Sequence, residues 1–157
     1  MNILRRTLLS LALTAGIVFA PCVSAQQVGV PPTTGHSAPD FTLQSVDAKA
    51  INLGQLRGKV VVIHFAATWC PFCNAEAPNL EKLYQRYKDK GVQVLIIDIK
   101  ETRVSVEKMA RKFGFSFPVL LDTDGSVATS YAPPKTVLPD LARDEVMIAS
   151  NLIIDRQ

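Results

Sequence analysis

Cys70 and Cys73 stand two residues apart in Trp69-Cys70-Pro71-Phe72-Cys73, where a strand pattern gives way to a helix pattern. Upstream, Val60-Val61-Val62-Ile63-His64-Phe65 is β-branched and apolar enough for a buried strand. Downstream, Ala77, Leu80, Leu83, Tyr84 and Tyr87 recur three or four apart, predicting an amphipathic helix from Asn74 to about Asp89. Cys70 is therefore expected near a helix N-terminus, where unpaired N–H groups and the macrodipole favour a thiolate. The second thiol falls one turn further in, within reach of a mixed disulfide formed on the first. The chemistry this predicts is dithiol–disulfide exchange.

The rest of the chain must position and deliver that pair. Arg5 and Arg6, the apolar run Leu8 to Phe19 and the small residues Val23-Ser24-Ala25 predict a signal peptide over residues 1–25, cleaved near Ala25. An uncleaved N-terminal anchor is the alternative. Cys22 is expected to leave with this segment, since Pro21 suits a lipoprotein cleavage site poorly. The exported product then keeps only Cys70 and Cys73, in a periplasmic or similar compartment where disulfides persist. Arg5 and Arg6 supply two of the formal net charges of +3, so the remaining chain is close to neutral and carries no nucleic-acid footprint.

Residues 26–37, with Pro31-Pro32-Thr33-Thr34-Gly35, read as a flexible lead-in, and residues 38–157 as one domain. Phe41-Thr42-Leu43 and Ala50-Ile51-Asn52-Leu53 predict a hairpin around Asp47-Ala48-Lys49. Gly91 is expected to end the first helix, with a strand over Val92 to Ile99 and a helix over Val104 to Lys112. Phe117 to Leu121 reads as extended, Asp122-Thr123-Asp124-Gly125 as a turn, and Ser126 as the cap of a short helix to Tyr131. A last strand is expected over Asn151 to Asp155. Alternating strands and helices predict an α/β sheet.

These blocks, in this order, resemble the thioredoxin-fold TlpA/ResA-like thiol-disulfide oxidoreductases of the AhpC/TSA-redoxin superfamily. The residues that carry the resemblance are Ala38-Pro39-Asp40-Phe41-Thr42-Leu43, Leu56-Arg57-Gly58-Lys59-Val60-Val61, Phe65 to Cys73 with Glu76 and Pro78, Phe117 to Asp122, and Leu152-Ile153-Ile154-Asp155. The resemblance implies a thioredoxin-like fold with an N-terminal β-hairpin. It also makes Cys70 the exposed nucleophile and Cys73 the buried resolving thiol. Trp69 would pack beside the disulfide and shape a docking surface, Pro71 would open the helix, and Phe72 would tune the potential. Glu76 would affect thiol titration and Pro78 would kink the helix. The only redox group implied is the Cys70–Cys73 disulfide, with no bound cofactor. Partners would be protein disulfide substrates, in some members apocytochrome c, and a membrane or periplasmic electron-donor protein.

The chain departs from the family pattern in several places. Ala66 replaces a frequent aromatic, and His64 stands where a buried Asp or Asn is usual. Ala149 occupies the cis-proline position of the substrate groove, and an insertion with Pro133, Pro134 and Pro139 precedes it. The sequence stops at Gln157, short of the family's further strand and closing helix, which favours reading it as C-terminally truncated. His64 is read equally as a proton relay and as a satisfied strand histidine, and Glu76 as a proton carrier or a first-turn acid favoured by the helix dipole. The alternative function is a copper-handling module using Cys70, Cys73 and His64. A thiol peroxidase fits less well, because Thr68 precedes Cys70 by two and no proline stands before it in the strand.

Overall fold

The computed structural model of the chain describes residues 35–131 and 150–157. The expected signal segment 1–25, residues 26–34 of the lead-in, the insertion and Ala149 lie outside the described residues. The elements are β1 (Thr42–Ser45), β2 (Ala50–Asn52), β3 (Val60–Ala66), α1 (Pro71–Tyr87), β4 (Val92–Ile99), α2 (Arg103–Phe113), β5 (Val119–Asp122), α3 (Ser126–Tyr131) and β6 (Ser150–Ile154). Among the described residues no helix is long and apolar enough to cross a membrane.

The strands form one mixed sheet in the order β2-β1-β5-β4-β3-β6. β3, β4 and β5 run parallel, β1 pairs antiparallel with β2 and β5, and β6 pairs antiparallel with β3. The predicted hairpin forms, with Ala48 in the left-handed region at its tip, the Ser45 N–H donating to the Lys49 carbonyl and the Lys49 N–H donating to the Ser45 hydroxyl oxygen across it.

Alternation along β3 sorts its side chains onto two faces. Val62 and Ala66 join Cys70, Cys73 and Leu80, together with Val106 and Met109 of α2, on one face. Val61, Ile63 and Phe65 join Phe41, Leu53 and the α3 residues Val127, Ala128 and Tyr131 on the other. Both faces of β3 are buried, which explains its unbroken run of apolar residues. Tyr131 closes the second core by tilting against Phe65 at 5.6 Å between ring centroids and donating its hydroxyl to the Pro39 carbonyl at 2.6 Å.

The helix ends refine three expectations. α1 begins at Pro71, three residues earlier than the apolar periodicity suggests, because proline at the first position needs no N–H partner and its φ is already helical. It ends at Tyr87, and Gly91, in the left-handed region, instead closes a 3-10 turn over Lys88–Lys90. Ser126 does not cap α3. The carboxylates of Asp122 and Asp124 accept the N–H groups of Val127, Ala128 and Ser126, and an ionised acceptor satisfies these donors better than a hydroxyl.

His64 lies in β3, 1% exposed, with its Nδ1 2.8 Å from the Asn151 Oδ1 on the paired β6 strand. Burial holds the imidazole pKa below its ordinary 6.5, and the Asn151 hydrogen bond and the Glu76 charge only partly oppose this. The unfolded chain therefore takes up a proton near pH 6.5 that the folded chain refuses until the pH is lower. The stability of the parent relative to His64→Gln should accordingly decline as pH falls through and below this value, and urea titrations of both proteins across the range measure it. A second expectation concerns the fully buried Ile63: Ile63→Ala should cost about 2–5 kcal/mol in the same assay, the usual penalty for a cavity in a packed core.

Candidate active site

β3 ends at Ala66, and Ala67 to Cys70 turn the chain into α1. The Cys70 N–H donates to the Ala67 carbonyl at 3.0 Å, and the Asn74 side-chain amide donates to the Thr68 carbonyl at 3.0 Å. Cys70 is the N-cap of α1, with an extended backbone, and its Sγ accepts the Cys73 backbone N–H at 3.2 Å. The first thiol thus takes the place that a serine or aspartate oxygen commonly fills, against one of the helix's unpaired donors.

Both cysteines are buried, Cys70 at 5% exposure and Cys73 at 4%. This corrects the expectation of an exposed Cys70. Capping draws its sulfur inward over Ala66 and Ala67, in the same apolar cluster as Cys73. The exposed groups are its neighbours. Trp69 is 68% exposed and Phe72 is 78% exposed, so Trp69 is directed largely to solvent. The two aromatics flank Cys70 in sequence and offer an apolar surface where a polypeptide disulfide can settle.

Strand alternation places His64 on the same face as Val62, Ala66 and the cysteines. Its Nε2 has no hydrogen-bond partner, an unusual state for a buried nitrogen. Glu76 lies near enough for its charge to act on this imidazole, so the structure brings His64 and Glu76 together. Because α1 begins at Pro71, Glu76 belongs to its second turn, and the first turn holds no acid. The helix-dipole reading of Glu76 is thereby removed, since that effect is confined to the first turn. Pro78 sits inside α1, where it cannot donate to the Asn74 carbonyl. Among the described residues no three His, Cys, Asp or Glu side chains group as a metal ion would require, so Cys70, Cys73 and His64 are not assembled as a ligand set.

Sequence reasoning missed a second polar group on this face. Asp98 lies in β4 beside Ala66 of β3 and Leu121 of β5. It is 1% exposed, neither of its oxygens has a hydrogen-bond partner, and its pKa is pushed up to about 8, by burial first and by Glu101 second. Glu101 in turn accepts the Thr68 N–H at 2.5 Å and the Thr68 hydroxyl at 2.6 Å, binding the turn that leads into Cys70. The available signal was an acid within the otherwise apolar run Val94-Leu95-Ile96-Ile97-Asp98-Ile99.

The AhpC/TSA family pattern matches residues 34–157. The thiol-disulfide oxidoreductase ResA of Geobacillus kaustophilus is 34% identical over 130 residues, covering 83% of this chain and 75% of that protein. ResA of Bacillus subtilis is 36% identical over 97 residues, covering 62% of this chain and 54% of that protein. Among solved structures, a putative protein disulfide isomerase from Bacteroides thetaiotaomicron aligns with TM-score 0.66 at 35% identity, covering 78% of this chain and 72% of its own. A secreted Mycobacterium tuberculosis disulfide oxidoreductase homologous to E. coli DsbE aligns with TM-score 0.54 at 30% identity, covering 58% and 66%. With a dithiol capping the helix that follows a central strand, and with these relatives, the chain belongs to the AhpC/TSA family and is a thioredoxin-fold thiol-disulfide oxidoreductase of the ResA and DsbE type.

Proposed function

We propose that this oxidoreductase is an exported reductant of protein disulfides, with Cys70 as nucleophile and Cys73 as resolving thiol. The observation that carries the reading is the placement of the two sulfurs at the N-cap and third position of α1, with the Cys73 N–H donated to the Cys70 Sγ. The Cys70 thiolate attacks one sulfur of a substrate disulfide, forming an S–S bond to substrate and expelling the other substrate sulfur as a thiolate. The Cys73 thiolate then attacks the Cys70 Sγ, which releases the second substrate thiolate and leaves the Cys70–Cys73 disulfide. Two electrons pass to substrate. The protons that leave Cys70 and Cys73 go to the departing thiolates through solvent or a neighbouring base.

His64 and Glu76, on the cysteine side of the sheet, are the groups we assign to that proton traffic. Trp69 and Phe72 form the docking surface, and Pro71 and Phe72, between the sulfurs, set the potential. Ala149, the cis-proline position by resemblance, lies outside the described residues. No cofactor beyond the Cys70–Cys73 disulfide is needed, so a partner dithiol protein at or beyond the membrane must restore the reduced form. The signal-like segment 1–25 and the secreted Mycobacterium tuberculosis neighbour support export, and the family resemblance suggests as substrate a protein with paired cysteines, such as an apocytochrome c before haem attachment.

Cys70→Ser should abolish disulfide reduction, whereas Cys73→Ser should accumulate a mixed disulfide with substrate, seen as a thiol-sensitive band on non-reducing gels. Equilibration of the parent in glutathione or dithiothreitol buffers should give a two-electron potential near the thioredoxin value of about −270 mV. A value near about −120 mV would assign the opposite, oxidising direction. Replacing Trp69 and Phe72 together by Ser should raise KM for a polypeptide disulfide about tenfold and leave a small aromatic disulfide almost unaffected, as expected for exposed aromatic anchors.

A further inference from the structure

We infer that Asp98 is a positioning residue for the nucleophile: its protonated side chain lets the neighbouring Glu101 carboxylate hold Thr68, and ionisation of Asp98 releases the turn that carries Cys70. The inference rests on the reading of Cys70 as nucleophile for its consequence, though not for its geometry.

The geometry has three parts. Asp98 is enclosed between Ala66 and Leu121 on the cysteine face of the sheet, with both oxygens unpartnered. Lys100, in the left-handed region at φ 57°, turns the chain after β4, and its N–H is fixed to the Asp122 carbonyl at 2.9 Å. Glu101 follows directly and spends both carboxylate oxygens on Thr68, two residues before Cys70. A tie to the backbone N–H and the hydroxyl of one residue fixes the position of the turn as well as its distance from β4.

The surrounding charges leave Asp98 to Glu101. His64 on β3 and Cys70, Cys73 and Glu76 at the start of α1 share its side of the sheet, yet besides burial both influences on Asp98 come from Glu101. Arg103 of α2 donates to the Ser45 and Val46 carbonyls. Lys108 and Lys112 of α2 line a cavity with Thr68, Asn74, Ser105 and Met109, which opens beside the turn. Among the described residues no cation is paired with Asp98, so its ionisation would set two carboxylates against each other there. Like charges that close do not ionise independently, and the pair titrates as a unit. Glu101 is the half-buried member of the pair and can move away, at the expense of its two bonds to Thr68. The proton leaves Asp98 for solvent, and no electron moves.

Trp69 lies between Thr68 and Cys70 and is the chain's single tryptophan, so its emission reports on this turn alone. The test uses the full-length Cys70→Ser/Cys73→Ser protein, in which no catalytic thiol titrates and loss of disulfide exchange is irrelevant to the outcome. Trp69 emission should change in one step with a midpoint near pH 8. Adding Asp98→Asn, which retains the shape without the charge, should remove the step. Adding Glu101→Gln instead should move the midpoint to lower pH, because the like charge is gone. A thiol-free parent without the step would overturn the inference, as would a step that persists in the Asp98→Asn protein. If that variant does not fold, a Glu101→Gln midpoint that stays in place or rises would overturn it equally.

Discussion

β3 is enclosed on both faces and paired along both edges, with β4 parallel to it on one side and β6 antiparallel on the other. A strand in that position has no free variable. Its register with Val92 to Asp98 fixes where it ends, and its alternation decides which side chains meet α1 and which meet α3. A slip of one residue would send Val61, Ile63 and Phe65 into the cysteine side and His64 into the opposite core. The active site inherits this precision, since the turn into Cys70 begins where β3 stops. Cys70 is placed by burial of a strand it does not belong to.

The same constraint explains why the sulfur is hidden while its neighbours are exposed. A helix that starts immediately after a buried strand must satisfy its first N–H groups close to the core, and here the Cys70 sulfur does so. Capping with sulfur ties the order of the helix end to the position of the first thiol. The cost is access: Cys70 is 5% exposed, while Trp69 and Phe72 beside it in sequence are largely exposed.

The sheet and helices were legible because their signals are local: the apolar runs of β3 and β4 and the three-or-four-residue apolar spacing in α1. The C-x-x-C spacing likewise announced the chemistry. Exposure was not legible, since whether Cys70 points outward depends on which donor its sulfur meets, and the early start of α1 at Pro71 decided that. The cap of α3 went to Asp122 and Asp124 because carboxylates four and two residues upstream reach back across the turn, beyond the usual one-residue reading. The His64–Asn151 bond joins residues 87 apart, and Asp98 acquires its meaning from Ala66, Leu121 and Glu101. Such relations exist only once the sheet has formed.

Three side-chain atoms among the described residues are buried without a hydrogen-bond partner: His64 Nε2 and both oxygens of Asp98. Each unsatisfied group of this kind costs about 1–3 kcal/mol, comparable to a good core contact, so chance placement is a poor explanation. They do not scatter. Both residues lie toward the C-terminal ends of adjacent parallel strands, on the face that carries the cysteines, His64 opposite Ile96 and Asp98 opposite Ala66. Burial pushes the two groups in opposite directions, the imidazole toward its neutral base form and the carboxyl toward its neutral acid form. Each is thereby held in its uncharged form, the state in which a buried group without an ion partner costs least. An apolar pair at these positions would give a more stable sheet, so two unsatisfied polar side chains on the cysteine face mark it as a surface shaped by more than packing.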